Sequence, residues 1–349
     1  MDPLLAERPL NEAVALDARF FADPAWFAVE ERQVLRRGWQ FAAHRADLAQ
    51  PGDWVAAEVA GGSVLIAVAP DGALAAFHNI CRHRAGPVAQ GKGRGATRWR
   101  CLYHGWQYSL DGRLKTAPEM GGATDFDPAT IALAPVRVAE FQGLVFVALD
   151  PAAPPFADLV TGIAERIAPN DLSTMIFDRR VTYEVEANWK IYIDNYLEGY
   201  HVPYIHPALT GSIDYAEYRI DLAPWYSLQH TSVRDGDAAY GAGTMYYYFL
   251  YPNTMLNIVD GRLQVNRVLP NGPRNCRVEF DYYYTLQAKS RAADDQAFTD
   301  IVQAEDAAIC AAVDKNLRSG AYQGGRLCPR REAGVHHFHN LLRRAYAAA

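Results

Sequence analysis

Two short pairs, Cys81-x-His83 and Cys101-x-x-His104, lie in one glycine- and arginine-rich stretch with seventeen residues between them. Cysteine thiolate and neutral imidazole are both good ligands for zinc and iron. A structural zinc site usually draws its cysteines as a Cys-x-x-Cys pair, with the histidines elsewhere. Here each lobe offers one of each. That mixture suits a Rieske [2Fe-2S] cluster, in which two cysteines hold one iron and two histidines the other. Replacing anionic thiolate by neutral imidazole lowers the negative charge on the cluster and raises its potential. Gly86-Pro87 follows the first pair and Gly105-Trp106 the second, and tight turns there can turn backbone amides toward cluster sulfurs. Read as two small buried cysteines, the stretch leaves the histidines that keep step with them unexplained. His78 reads as a packing residue.

A cluster that moves single electrons implies an acceptor in the same chain. "NWKIYIDNYLEGYHVPYIHP", from Asn188, supplies one. On a continuous helix Asp194, Glu198 and His201 stand at i, i+4 and i+7 and share a face, which makes Asp194 and Glu198 the candidate catalytic acids. His206 lies beyond Pro203, where the helix is expected to break, so the two histidines can converge on one ion. Two histidines and a carboxylate with open positions form the facial triad of non-heme Fe(II) oxygenases. The third ligand must come from elsewhere. A helix is predicted over 295–318, with Phe298, Ile301, Val302, Ile309, Val313 and Leu317 as its apolar face. Glu305 and Asp306 flank that face on opposite sides, and periodicity leaves both open. Without the cluster motif, the histidines read as polar residues near a helix end and the two acids as solvated helix-edge charges.

These residues need elements to hold them. The chain has 349 residues, half of them apolar and 21% charged, a globular composition. Residues 1–40 read as a helical segment with a turn at Asp23-Pro24, packing on the catalytic domain. From 41 to 150, short apolar runs broken by Gly61-Gly62 and Asp71-Gly72 predict a small antiparallel β domain. The proline-rich "DPAAPPFADL" marks a boundary. Residues 151–349 mix strands with helices, predicting an α+β domain with an antiparallel sheet. The net charge of -6 argues against a nucleic-acid partner. No signal peptide and no membrane span are expected. Five scattered cysteines are no disulfide framework, and they suit a reducing, cytoplasmic setting.

With "CRHR…CLYHGW" and "NWK…DNYLEGYHVPYIHP" in place, the sequence from about residue 15 to the C-terminus resembles the catalytic α subunits of Rieske non-heme iron ring-hydroxylating oxygenases. "FLYPNTMLN", "RVLPNGPRNCRVEFDYYY", "AEDAAIC" and "GRLCPRREAGVHHFHNLL" are similar to the choline, glycine-betaine and carnitine monooxygenase branch. "AVDKNLRSGAY" departs from that branch's pattern. The resemblance implies an N-terminal all-β Rieske domain and a C-terminal helix-grip domain. It implies Cys81, His83, Cys101 and His104 at the cluster, and His201, His206 and Asp306 at a mononuclear Fe(II). Glu198 would bridge the two centres. It also implies electrons from NAD(P)H through a flavin/iron-sulfur reductase, O2 as co-substrate, and a head-to-tail homotrimer.

The substrate is less clearly written. Aromatics crowd the strands at Tyr246–Tyr251 and Tyr282–Tyr284. Strand alternation sends Tyr246 and Tyr248 to one face and Tyr247, Phe249 and Tyr251 to the other. One set should line the pocket, and alternation does not choose between them; with Trp225 upstream, Tyr246 and Tyr248 are the first candidates for an aromatic cage around a quaternary ammonium of the betaine, choline or carnitine kind. The same rings also suit plain core filling. An aromatic acid would instead need a cation, for which Arg262 or Arg267 could serve. The rival from another class is a Rieske electron carrier or redox sensor, which needs neither the His/His/acid set nor the second half of the chain.

Overall fold

The computed structural model describes residues 2–234, 237 and 240–349. The chain divides into two compact units, residues 36–156 and residues 1–35 with 157–349.

The first unit is all β. Its larger sheet has the order β1-β10-β9-β4-β3-β2-β5, where β1 is Gln40–His44, β2 Trp54–Val59, β3 Gly62–Val68, β4 Leu74–His78, β5 Lys92–Gly93, β9 Pro135–Phe141 and β10 Leu144–Ala148. A second sheet, β6-β7-β8, is built from Trp99–Arg100, Gln107–Tyr108 and Leu114–Thr116. Asp71-Gly72 makes the β3–β4 turn: the Ala69 amide donates to the Ala73 carbonyl, and the Asp71 carboxylate accepts from the Ala73 amide. The core on one side of the larger sheet joins Leu65 and Phe77 to Cys81, Cys101, Trp106 and Tyr108, so the two Cys/His loops rest on packed rings.

The second unit is α+β. One antiparallel sheet runs β11-β17-β16-β15-β14-β13-β12, with β11 Ile176–Val185, β12 Arg219–Ala223, β13 Tyr226–Ser232, β14 Thr244–Leu250, β15 Thr254–Val259, β16 Arg262–Pro270 and β17 Cys276–Tyr284. Its helices are α1 (Arg19–Ala22), α2 (Pro24–Glu30), α3 (Phe156–Val160), α4 (Ile163–Ile167), α5 (Trp189–Tyr196), α6 (Val202–Ile205), α7 (Pro207–Ser212), α8 (Ala292–Leu317) and α9 (Ala333–Ala347). One register row, Gln229–Tyr247–Asn257–Gln264–Tyr282, crosses five strands on one face of the sheet. No helix among the described residues is long and apolar enough to cross a membrane.

Three local expectations are corrected. The expected helical segment over 1–40 has α-helix only at α1 and α2; Pro3–Leu5 and Leu10–Glu12 are 3-10 turns. The helix from Trp189 stops at Tyr196 rather than near Pro203. Its continuation is lost because the Glu198 carboxylate takes the backbone amides of Tyr200 and His201. Gly199 also lies so close to Tyr218 that a Cβ there would meet the ring at 2.7 Å. Pro203 sits in the first turn of the next short helix instead of ending one. Finally, α8 turns a polar stripe inward: Asp295, Thr299, Gln303, Asp306, Cys310 and Asp314 are buried at helical spacing, while Ile301 is 54% and Val313 38% exposed. Of the expected apolar face, Phe298 and Val302 do turn inward with this stripe, and Ile301 and Val313 do not.

α5 is anchored by a buried ion pair. Lys190 Nζ lies 2.6 Å from Glu30 Oε1, and Trp189 Nε1 and Tyr346 Oη also donate to Glu30, at 2.7 and 2.8 Å. Removing one member of a buried pair leaves an uncompensated charge and costs about 3–5 kcal/mol. Lys190→Met is therefore expected to lower the chemical denaturation midpoint sharply. Adding Glu30→Gln should recover part of that loss, and a Lys190→Met protein of wild-type stability would contradict this reading of the anchor.

Candidate functional site

In the β unit the two Cys/His stretches adopt the same turn twice. The amide of Cys81 donates to the Gly86 carbonyl and that of Ala85 to the Cys81 carbonyl. The amide of Cys101 donates to the Trp106 carbonyl and that of Gly105 to the Cys101 carbonyl. Ala85 and Gly105, at matching places, both have positive φ. The Leu102 amide bonds the Pro87 carbonyl and ties one loop to the other. Gly86 is required here, since a Cβ would stand 3.0 Å from Cys101 Sγ and 2.9 Å from Tyr103 Cβ. Asn79 clamps the first loop from behind, accepting from the amides of Val88 and Ala89.

The side chains these turns present fit a [2Fe-2S] cluster of mixed ligation. Both cysteines are buried and free. Burial pushes the Cys81 thiol above its ordinary value, and the Tyr108 hydroxyl, 3.1 Å from Cys81 Sγ, opposes that. The rings of His83 and His104 lie 4.6 Å apart, with His83 stacked on Trp106. His83 Nδ1 is buried with no hydrogen-bond partner among the described residues, as expected of an atom reserved for a metal. His104 is exposed, so the histidine end is the one open to an electron donor or acceptor.

In the α+β unit His201, His206 and Asp306 each offer an atom within 4.8 Å of the others. Asp306 Oδ1 lies 2.9 Å from His206 Nε2 and 3.9 Å from His201 Nε2. Each imidazole is held from its other nitrogen by a carboxylate: His201 Nδ1 by Glu198 at 2.5 Å, His206 Nδ1 by Glu305 at 2.7 Å. This orienting arrangement is typical of histidines that bind metal through Nε2. Asp306 is held in turn by Asn195 Nδ2 at 2.6 Å and Gln303 Nε2 at 3.4 Å. Burial disfavours charge on His206, yet the Asp306 and Glu305 carboxylates outweigh it and hold His206 above the ordinary histidine value. Two neutral nitrogens and one carboxylate, all lining one cavity, are a fitting donor set for a ferrous ion with open positions.

That cavity, of about 80 Å³, lies between α5–α8 and the sheet. Among its walls are Tyr196, Tyr218, Tyr240, Tyr247, Phe280 and Phe298. The phenols are pinned: Tyr218 donates to Gln229, Tyr196 to Asn257, and Tyr240 and Tyr247 share a hydrogen bond of 2.6 Å.

Several candidate residues are not brought here. Asp194 does not share a face with Glu198 and His201, because α5 ends between them; its carboxylate accepts from His339 Nε2 at 2.9 Å and borders a second cavity. Tyr246, Tyr248 and Trp225 are absent from the lining. Tyr246 and Tyr248 point to the opposite sheet face, where Tyr248 packs on Tyr226 at 5.5 Å, and Trp225 packs on Tyr251 at 5.9 Å. Tyr247, from the other alternation set, takes the cavity side. Of the two arginines, Arg262 lines the cavity and Arg267 is bound to Glu279 away from it. Residues not singled out from sequence are Asn195 and Gln303; the spacing of Gln303 three residues before Asp306 on α8 was the available signal.

The profile of the Rieske [2Fe-2S] domain matches residues 38–135, and that of the ring hydroxylating alpha subunit (catalytic domain) matches residues 172–348. The chloroplastic choline monooxygenase of Arabidopsis thaliana is 33% identical, over 96% of this chain and 83% of that protein. The carnitine monooxygenase oxygenase subunit of Escherichia coli (strain K12) is 30% identical, over 96% and 95%. A solved quaternary ammonium Rieske monooxygenase, described for carnitine oxidation by gut microbiota and inter-subunit electron transfer, superimposes with a TM-score of 0.88 at 25% identity, covering 97% of this chain and 99% of that one.

The geometry separates the two acids of α8. Asp306→Ala is expected to lose mononuclear iron while the cluster's visible spectrum remains. Glu305→Ala, which frees only His206 Nδ1, should weaken iron binding about 10–100-fold. Metal analysis and iron titration measure both; full iron content in Asp306→Ala with loss in Glu305→Ala would reverse the assignment.

Proposed function

Because this chain belongs to the α subunits of the Rieske ring-hydroxylating oxygenases, we propose that it oxidises an N-methyl carbon of a small quaternary ammonium compound. The protein is an oxidoreductase that takes a Rieske cluster and a mononuclear iron, receives electrons from a reductase, and uses O2. The observation that carries the substrate reading is the cavity beside His201, His206 and Asp306, walled by pinned aromatic rings. Each ring face attracts a desolvated onium by roughly 0.5–2 kcal/mol. The choline and carnitine monooxygenases among the relatives support the quaternary ammonium class of substrate.

In this reading Cys81 and Cys101 hold one cluster iron and His83 and His104 the other. His201, His206 and Asp306 hold the mononuclear ion. When bound, the cluster supplies single electrons and the ferrous ion activates O2. Glu198 fixes His201 through Nδ1, and Glu305 does the same for His206. Asn195 and Gln303 keep Asp306 from swinging away. The tyrosine and phenylalanine walls exclude water and orient the substrate, and hydroxylation of an N-methyl carbon releases it as formaldehyde.

We also propose a flavin/iron-sulfur reductase as the electron donor and a homotrimer in which Glu198 links His201 to a Rieske histidine, His104, of the neighbouring copy. The exposure of His104 and the inter-subunit electron transfer described for the carnitine-oxidising neighbour support this. A reducing, cytoplasmic setting suits five free cysteines. A second reading, hydroxylation or O-demethylation of an aromatic acid, is favoured by Arg262 on the cavity wall.

Reconstituted protein is expected to bind about three irons per chain, two in the cluster and one mononuclear, against two for an electron carrier. With a surrogate reductase, choline, glycine betaine, carnitine or proline betaine should stimulate O2 uptake and release formaldehyde. Stimulation by benzoate, phthalate or vanillate alone would replace this reading with the second. Glu198→Gln should keep both metal centres but slow oxidation of the reduced cluster in a single turnover by about tenfold or more; a wild-type rate would remove Glu198 from electron transfer.

A further inference from the structure

Strand β16 places Arg262, Gln264 and Asn266 on one face by simple alternation. All three line the iron cavity, and all three are buried. Arg262 Nε and Nη2 and Gln264 Nε2 make no hydrogen bond of ordinary geometry among the described residues, although the Tyr247 hydroxyl stands near Arg262 and the Tyr282 hydroxyl near Gln264; Asn266 Oδ1 is likewise unpaired. Folded proteins leave few buried donors unpaired, and three on neighbouring inward positions of one strand point to something that accepts from them.

The donors are held in place. Arg262 Nη1 is tied to the fully buried Asp295, which also accepts from Tyr284 Oη at 2.6 Å. Apart from the nearby Tyr247 hydroxyl, that leaves the Nε/Nη2 edge without a partner, and this edge is the side-on fork of a guanidinium that matches the two oxygens of a carboxylate. Gln264 Oε1 accepts from Asn257 Nδ2 at 2.9 Å, and Asn257 Oδ1 accepts from Tyr196 Oη at 2.6 Å. This chain fixes the Gln264 amide so that its NH2 is the unpaired end. The Arg262 guanidinium also stands 5.2 Å from the centre of the Tyr240 ring, so a cation already covers that ring and an onium is not favoured there.

We propose that Arg262 and Gln264 form a carboxylate subsite on the sheet wall of the cavity, and that the substrate is a zwitterion, an N-methylated betaine, rather than an amino alcohol such as choline. This rests on the quaternary ammonium reading above. The carboxylate would pair with the fork and the amide. The onium would turn away from Arg262 toward the remaining rings and the His201, His206 and Asp306 wall. A site built to hydrogen-bond a polar group rejects an analogue lacking it, because its buried donors are then left unpaired.

The test uses reconstituted holoenzyme with a surrogate reductase, and glycine betaine, carnitine, choline and benzoate as probes. At least one betaine should exceed choline in kcat/KM by about tenfold or more. Gln264→Glu keeps the acceptor for Asn257 but turns the inward donor into an anionic oxygen. It should raise KM for the betaine by about tenfold or more, with a much smaller change in kcat and a much smaller effect on choline. Arg262→Lys, which keeps a charge beside Asp295 but loses the fork, should act in the same direction. Cluster absorbance and iron content show whether each variant folds; if neither does, the wild-type preference decides. Choline as the better substrate, or equal losses for betaine and choline, overturns the proposal. Benzoate turnover without betaine or choline turnover, lost in Gln264→Glu, would uphold the carboxylate subsite and remove the quaternary ammonium reading.

Discussion

Asp306 sits 7% exposed inside the α+β unit, and a buried carboxylate needs partners. It collects them from three elements: His201 and His206 around α6, Asn195 on α5, and Gln303 one turn back on α8. A ferrous ion on the Nε2 side would complete the set. Much of the local architecture follows from satisfying this one group. The helix α5 must end early enough for the chain to fold His201 back, and the Glu198 carboxylate, by capturing the amides of Tyr200 and His201, makes that turn.

The same constraint explains why α8 is polar on its inner side. A helix that packed a hydrophobic stripe against the sheet would close the space the substrate needs. Instead Asp295, Thr299, Gln303 and Asp306 face inward, and the sheet answers with Arg262, Gln264 and the row running from Gln229 to Tyr282. The result is a cavity with His201, His206 and Asp306 on the helix side, hydrogen-bonding groups on the sheet side, and aromatic rings between. The Rieske unit achieves rigidity differently. Two copies of one tight turn, tied together by the Leu102 amide, set two thiols inward, with His104 outward and His83 half-buried against Trp106.

What could be read in the sequence was what short-range spacing encodes. Cys81, His83, Cys101 and His104 declared themselves because thiolate and imidazole alternated in two nearby lobes. His201 and His206 declared themselves because a carboxylate-rich helix led into a proline-punctuated bend. The α+β class and the β domain followed from turn residues and strand patterns. Other features depend on tertiary contacts. The choice between Glu305 and Asp306 turns on which side of α8 is buried, and the apolar residues Ile301 and Val313 point the other way. The choice of Tyr247 over Tyr246 and Tyr248 turns on which sheet face the helices cover, and alternation alone is symmetric. Asp194 looked like a partner of His201 only as long as the helix was imagined unbroken.

In the proposed enzyme one cavity joins a mononuclear ferrous ion to a quaternary ammonium substrate. The most direct measurement is the Mössbauer spectrum of iron-labelled, reduced holoenzyme with and without carnitine or glycine betaine. A mononuclear high-spin ferrous component holding about one third of the iron is expected. Substrate should change its parameters while the cluster components stay fixed. A spectrum containing the cluster alone, or a ferrous component that no quaternary ammonium compound perturbs, would contradict it.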